Sequence, residues 1–471
     1  MRLLDREPEL ARLNALCRRP EGGLAVLWGR RRIGKSRLLA EWVAAHDGIH
    51  FVADQSTATM QIRYFAHACS RKFPGFDEVD YPDWIIVLRR LAEAAQRAGW
   101  RGPLVFDELP YLAAAYPPIG SILQRWIDTD ARQAGLVTAV CGSSQRMMQG
   151  LVLDANAPLF GRAAESFTLR ELPAAWLLKA FPTVDAVEAC KLHALLGGIP
   201  YYWELGAASG LSQADDLADR LVIDPQGPLH TEPQRLLREE SPPAIAVQPI
   251  LEAIGLGAHR LSEIAGKIGQ PATALGHPLK RLLEMGLIAK DIPFGETEKN
   301  SKRSLYAIQD PLCRLWFTVI APNRGALLQM PQPARRKLWS HAAPSLYAQN
   351  WEALCRQAVP RLAALAIPQF PDMEWGVASR WWQGNAPEWD IVAQSLDGRS
   401  ILLGEAKWST TGTSQVKKAI AALQTRPLPP LPGIHEKIVK RAVFVPKSHG
   451  NHHAPEGMAI IDADDIMKCL I

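Results

Sequence analysis

The stretch Leu24-Ala25-Val26-Leu27-Trp28-Gly29-Arg30-Arg31-Arg32-Ile33-Gly34-Lys35-Ser36-Arg37 decides how the first third of the chain is read. Its apolar run, bounded by Gly22-Gly23 and Gly29, predicts a short buried strand, and the pattern from Lys35 to about Ala45 predicts a helix. Between them, Gly29 to Ser36 satisfies GxxxxGK[ST], in the strand-to-helix setting that the motif requires. Glycines let the backbone turn so that its N–H groups face phosphate oxygens, and the helix N-terminus adds positive potential. Lys35 would reach the β and γ phosphates, and the Ser36 hydroxyl would ligate Mg²⁺. Gly29, Arg30, Arg31, Arg32, Ile33, Gly34, Lys35, Ser36 and Arg37 are therefore candidate nucleotide contacts.

Outward from this loop the same alternation continues. Asp5 can cap a helix with Glu7 and Pro8 in its first turn and Leu10, Leu13 and Leu16 at helical spacing. Strand-like runs follow at Ile49–Ala53, Leu104–Phe106 and Leu136–Cys141, separated by helix-length segments such as Ile119–Ala134. Strands alternating with helices imply a mostly parallel sheet. Leu104-Val105-Phe106-Asp107-Glu108 is an apolar strand ending in two carboxylates: Asp107 is expected in the Mg²⁺ shell, Glu108 as the group that polarises water. Leu136–Cys141 ends in Gly142-Ser143-Ser144-Gln145, where Ser143 could sense a γ phosphate or simply form a polar turn. Arg162, in Pro158-Leu159-Phe160-Gly161-Arg162, could neutralise transition-state charge within one chain or from a neighbour, or else be solvated.

The whole sequence is 471 residues long, with 53 Lys and Arg against 48 Asp and Glu, 48% apolar and 21% charged. Disorder and coiled coil are excluded by that balance, and the length predicts roughly three domains. A net charge of +5 permits contact with nucleic acid without demanding it. The charged N-terminus lacks a signal-peptide pattern, and no apolar run approaches a membrane span, so a cytoplasmic protein without membrane contact is expected. Seven cysteines with no CxxC pair argue against a zinc ribbon or a disulfide framework. His452-His453 reads as a solvated pair.

From Pro173 to about residue 240 the pattern is helical, broken by Gly197-Gly198-Ile199-Pro200, and a helical lid over 173–240 is expected. Ser241-Pro242-Pro243 marks a linker. Residues 241–330 then show amphipathic segments, with Leu275, Leu279, Leu282 and Leu283 on one side and His277, Lys280 and Arg281 on others. A basic turn with Lys299, Lys302 and Arg303 and a strand-like Ser304–Ile308 complete a winged-helix order. Such a module can read DNA or serve only for packing. Pro331-Gln332-Pro333 opens a second linker, 331–344. Residues 345–471 give a smaller α/β unit: a helix Tyr347–Val359, strands Trp389–Gln394 and Ile401–Glu405, a helix Ser414–Leu423 and a strand Ala442–Val445. Period-two geometry puts Glu405 and Lys407 on one strand face, so a metal-binding carboxylate and an ammonium would share a cleft with Asp390.

Two resemblances follow. Asp5–Leu10, Gly29–Ser36, Val105–Glu108, Cys141–Ser144, Pro158–Arg162 and Gly197–Tyr202 together resemble the archaeal-type ATPases, close to the AAA-like and STAND P-loop NTPases. The resemblance covers the first half of the chain and implies an α/β ATPase core over 1–172, a helical lid, a winged helix, and ATP with Mg²⁺. Glu388-Trp389-Asp390 and Gly404-Glu405-Ala406-Lys407 resemble the PD-(D/E)xK nuclease core, though without its proline–aspartate dipeptide. That likeness implies a restriction-endonuclease-like fold, with Glu352, Asp390 and Glu405 as metal ligands and Asp390, Glu405 and Lys407 as catalytic groups. An inactive nuclease-like fold and a plain charged strand pair remain open. The expectation is an ATP-driven switch or motor, with Lys35, Glu108 and Arg162 as catalytic groups, coupled to a domain that acts on or binds nucleic acid; self-association is also open. The alternative is a nucleotide-gated signalling or scaffolding ATPase whose last domain binds a partner without cutting.

Overall fold

Leu24, Ala25, Val26 and Leu27 are all buried, the mark of a strand covered on both faces. In the computed structural model, which describes residues 3–143, 148–240, 247–297, 303–371, 373–409, 412–448 and 458–471, they lie in β1 (Gly23–Trp28). The first unit, residues 1–172, runs α1 (Glu7–Cys17), β1, α2 (Lys35–Ala45), β2 (Ile49–Val52), α3 (Ala58–Ser70), α4 (Trp84–Ala98), β3 (Leu104–Asp107), α5 (Leu109–Ala115), α6 (Ile119–Trp126), β4 (Val137–Gly142) and β5 (Ala163–Thr168). All five strands are parallel, in the order β2-β3-β4-β1-β5. The strand leading into Ser143, β4, therefore lies between the strand feeding the phosphate loop and the strand ending in Asp107.

Helix starts follow local chemistry: Thr57 caps α3 by accepting from Met60 N, and Asp83 caps α4 by accepting from Ile86 N. Under β2 and β3 sits an aromatic core. The Phe65 ring is 5.4 Å from both Phe51 and Phe106 and 5.2 Å from Trp84, centroid to centroid. Such pairs contribute about 0.5–1.5 kcal/mol each beyond their buried area.

The second unit, Pro173–Ile471, joins what the sequence suggests are separate parts. Its first helices include α7 (Ala186–Leu196), α8 (Pro200–Ala208) and α9 (Glu232–Glu240). Three helices, α10 (Gln248–Gly255), α11 (Leu261–Ile268) and α12 (Gly276–Glu284), precede an antiparallel pair, β6 (Ile288–Asp291) and β7 (Leu305–Ile308). The expected linker at 331–344 is instead helical. Gln332–Ala358 forms one 27-residue helix, α13, which begins well before Tyr347. Pro331 and Pro333 stand at and just after its start, where a missing N–H costs nothing, so they open the helix rather than break the chain. α13 also binds the earlier helices: Trp339 Nε1 and Tyr347 Oη both donate to Asp215, at 2.8 and 2.9 Å, and Asn350 Nδ2 donates to the Cys190 carbonyl at 3.1 Å. One helical face shared by both segments removes the boundary.

The last five strands are β8 (Ser379–Trp381), β9 (Trp389–Gln394), β10 (Ser400–Ala406), β11 (Ile438–Phe444) and β12 (Met458–Ile461), with α14 (Gly412–Thr425) after β10 and α15 (Ala463–Cys469) after β12. They form a mixed sheet in the order β12-β11-β10-β9-β8: β10 runs parallel to β11 and antiparallel to β9. Arg303, expected in the basic wing, is held by Glu296 and donates to the Trp382 carbonyl at 2.8 Å, while Phe294 N donates to the Arg380 carbonyl at 2.8 Å. The β6–β7 connection is thus docked onto the C-terminal sheet. Ser144, Gln145, Ser241-Pro242-Pro243, Lys299, Lys302 and His452-His453 lie outside the described residues. No described helix is long and apolar enough to cross a membrane.

Phe65→Ala should cost about 3–5 kcal/mol, because it empties the centre of a fully buried aromatic cluster. Chemical denaturation of the full chain checks it; a loss below about 1 kcal/mol would contradict this packing.

Candidate functional site

The phosphate loop leaves β1 at Gly29, whose φ of 151° suits only glycine and where a Cβ would lie 2.6 Å from the Leu169 carbonyl oxygen. Gly34, at φ 94°, caps α2 with open space around the missing Cβ, so the backbone lies bare where a phosphate would approach. Arg32 is also left-handed, at φ 66°. Lys35 is only 4% exposed, and its Nζ donates to the carbonyls of Gly29 at 2.8 Å and Arg30 at 3.1 Å. The ammonium therefore lies inside the loop. Arg30 pairs with Glu171 at 3.2 Å, Arg31 donates to the Tyr111 hydroxyl, and Arg37 pairs with Glu41 at 3.5 Å.

Sequence reading missed Arg6 as a site residue. Its guanidinium is buried and donates to the Ile33 carbonyl at 3.4 Å and the Arg170 carbonyl at 2.7 Å, bracing the loop from behind. Only its place in the Asp5–Leu10 stretch hinted at a role.

Asp107 has no solvent exposure. His50 Nε2 lies 3.0 Å from its Oδ2, Cys141 Sγ donates to its Oδ1 at 2.5 Å, and the Ser36 side chain bonds to it as well. Burial pushes the carboxyl up, but these hydrogen bonds outweigh it and hold its pKa below the ordinary value. The Cys141 thiol is pushed well up by burial and by Asp107, so it stays protonated and donates. His50, near the start of β2, carries no sequence signal, and Cys141 only its place in the Cys141–Ser144 stretch. Ser36 and Asp107 thus meet beside the loop, and their hydroxyl and carboxylate are the kind of oxygen donors that would hold Mg²⁺ there.

Glu108 is left-handed, at φ 54°, and caps α5. Its Oε2 accepts from Ser143 N at 3.2 Å and Ser143 Oγ at 2.9 Å. Two expected site residues therefore meet, with the acid turned toward the strand between. Arg162 does not join them. Ala163 pairs with Leu24, at the opposite end of β1 from Gly29, roughly 16 Å away along the strand. There Arg162 Nε donates to both Asp128 oxygens at 3.0 Å, away from the loop.

In the second unit, β9 and β10 bring the remaining candidates together. Asp390 Oδ2 accepts from Ala406 N at 3.0 Å; Lys407 Nζ lies 2.6 Å from Glu405 Oε1, and Arg426 Nη1 2.5 Å from Glu405 Oε2. Glu352 pairs with Arg356 at 3.6 Å. Burial first, then the charges of Glu405 and Glu352, push Asp390 up to about 6. Burial also works to raise Glu405, but Arg426 and Lys407 outweigh it and hold that carboxyl low. Among the described residues no three His, Cys, Asp or Glu side chains are grouped to hold a metal ion. With both Glu405 oxygens taken by cations, the expected Glu352–Asp390–Glu405 ligand set does not fit a metal as arranged.

Residues 3–204 match the family described as an ATPase domain predominantly from Archaea, and residues 316–419 match archaeal and bacterial proteins of unknown function. An uncharacterized protein of Methanocaldococcus jannaschii is 26% identical over 415 residues, covering 88% of this chain and 89% of its own. Among solved structures, the Walker-type ATPase PABY2304 of Pyrococcus abyssi is similar at 22% identity and TM-score 0.51, over 67% of this chain and 96% of its own. The Aeropyrum pernix ORC2 protein, solved as ADPNP–ADP complexes, is similar at 14% identity and TM-score 0.44, over 69% of this chain and 94% of its own. The family match spans the first unit and runs a little beyond it, and the parallel five-stranded sheet agrees with the likeness to the Pyrococcus abyssi structure in fold.

Proposed function

We propose that the chain is an Mg²⁺-dependent ATP-hydrolysing switch whose second unit contacts nucleic acid. The observation that carries it is the meeting of Lys35, Ser36 and Asp107 at the C-terminal ends of β1 and β3. Main-chain N–H groups of residues 30–36 would face the phosphates, and Lys35 Nζ would exchange the Gly29 and Arg30 carbonyls for β and γ oxygens. Mg²⁺, held by Ser36 and Asp107, would supply charge neutralisation at those oxygens. Glu108 must leave Ser143 to polarise the attacking water, so the Ser143–Glu108 bond is a resting position. Because Arg162 stands at the far end of β1, only a second copy could deliver it to a nucleotide.

Helices α10–α12 with β6–β7 support the winged-helix reading. His277 and Lys280 on α12 are exposed, while Arg303 is already engaged, so DNA contact would run through the helix rather than the wing. The order α13, β8–β10, α14, β11 supports a nuclease-like reading of the C-terminal sheet. One observation favours the second reading, a domain that binds without cutting: both oxygens of Glu405 are occupied by cations of the chain.

Lys35→Ala should abolish phosphate release, since the loop loses its ammonium; turnover equal to wild type would refute the site. Glu108→Gln should keep nucleotide binding while slowing hydrolysis by about 10²- to 10⁴-fold. Supercoiled and single-stranded DNA incubated with Mg²⁺ or Mn²⁺, beside Asp390→Ala and Lys407→Ala, separates the readings of the second unit. Cleavage lost in both variants would establish a nuclease; uncut DNA supports the binding reading.

A further inference from the structure

The carboxylates of the C-terminal sheet already hold a cation, and it belongs to the chain. Glu405, 6% exposed, sits near the end of β10 facing the β9 carboxylate Asp390. Arg426, in the segment just after α14, points its guanidinium between β9 and β10. Its Nη1 donates to Glu405 Oε2 at 2.5 Å and to the Glu388 carbonyl at 2.8 Å. The guanidinium carbon lies 5.0 Å from the centroid of the Trp389 ring. A side chain fixed by a buried carboxylate, a main-chain oxygen and an aromatic face, and only 15% exposed, is not a surface ion pair.

The charge count points the same way. Glu352, Asp390 and Glu405 are matched by Arg356, Lys407 and Arg426, so the cluster is formally neutral. A divalent ion entering it would need lone pairs that Lys407 and Arg426 occupy, and would stand against the charge of Arg426, which is little exposed to water. Arg356 also spans the cluster, donating to the Asp390 carbonyl at 3.1 Å.

We infer that Arg426 is the resident cation of the Asp390–Glu405 pair and keeps divalent metal out of it, so that a metal site exists there only when this guanidinium is removed. The inference concerns the second unit alone and does not depend on nucleotide hydrolysis. It goes beyond the non-cutting reading by naming the group responsible.

The test is Mn²⁺ binding to the full chain without nucleotide, read as free Mn²⁺ by electron paramagnetic resonance, for wild type, Arg426→Gln, Arg426→Lys, Asp390→Asn and the Asp390→Asn/Arg426→Gln double variant. Any Mn²⁺ held near Asp107 is common to all five and cancels. Arg426→Gln should gain one Mn²⁺ site at least tenfold tighter than any that wild type shows, and the double variant should lose it. Arg426→Lys, which keeps the charge, should behave as wild type. A wild-type Mn²⁺ site that Asp390→Asn abolishes would overturn the inference, and so would a folded Arg426→Gln with no gain. Should Arg426→Gln fail to fold, the wild type and Asp390→Asn pair still decides: equal binding supports a closed site, unequal binding sinks it. ATP turnover measured on the same samples fails only if the nucleotide reading is wrong, whichever way Mn²⁺ binding goes.

Discussion

One buried carboxylate organises the first unit. Asp107 receives donors from Cys141 and Ser36 and pairs with His50, side chains that come from β4, α2 and β2, while it sits at the end of β3. A carboxylate wholly removed from water costs several kcal/mol unless its lone pairs are taken up. The strands must therefore align so that these groups converge, and the start of α2 must lie against the end of β3. The same alignment brings Ser143 to Glu108 and the bare backbone of Gly34 to the mouth of the loop. Electrostatic satisfaction of one group thus positions the phosphate site.

The second unit is organised by a helix face. Trp339, Tyr347, Asn350 and Trp351 of α13 are all buried; the first three bond to the helices that precede α10, and Trp351 Nε1 donates to the Phe444 carbonyl at 3.3 Å. A single rigid element therefore packs at once against the early helices and the C-terminal sheet. Separate modules strung on linkers would have no such shared face. Within the sheet, the pairing of β9 and β10 crowds acids together, and the chain balances them with its own cations rather than leaving unpaired charge in a poorly hydrated place.

Much of the first unit was legible because its signals are local. The run Leu24–Trp28, the glycines at 29 and 34, and Lys35-Ser36 follow each other without a gap, and the backbone geometry they require depends on near neighbours. Asp107 and Glu108 were readable for the same reason, as acids closing an apolar strand. For Arg162 the sequence left open whether it would act within one chain or from a neighbour, because which end of the sheet it occupies depends on the register of β5 against β1. Pro331 and Pro333 also misled, since a proline reads as a break whether it stops a helix or opens one. Arg6 and Cys141 lie in stretches the sequence marked, but nothing in the neighbourhoods of Arg6, His50 or Cys141 shows which distant group each would meet.

By itself the sequence determined the parallel α/β core, the phosphate loop and the acids beside it, and the set of charged residues on β9 and β10. All of these follow from period, spacing and backbone freedom within a few residues. Only the tertiary structure decided that Glu108 rests on Ser143, that Arg162 stands at the far end, and that Arg426 closes on Glu405. Those outcomes depend on which distant segments pack together, and packing is settled by the burial of whole faces and the pairing of buried charge rather than by any residue's neighbours in the chain.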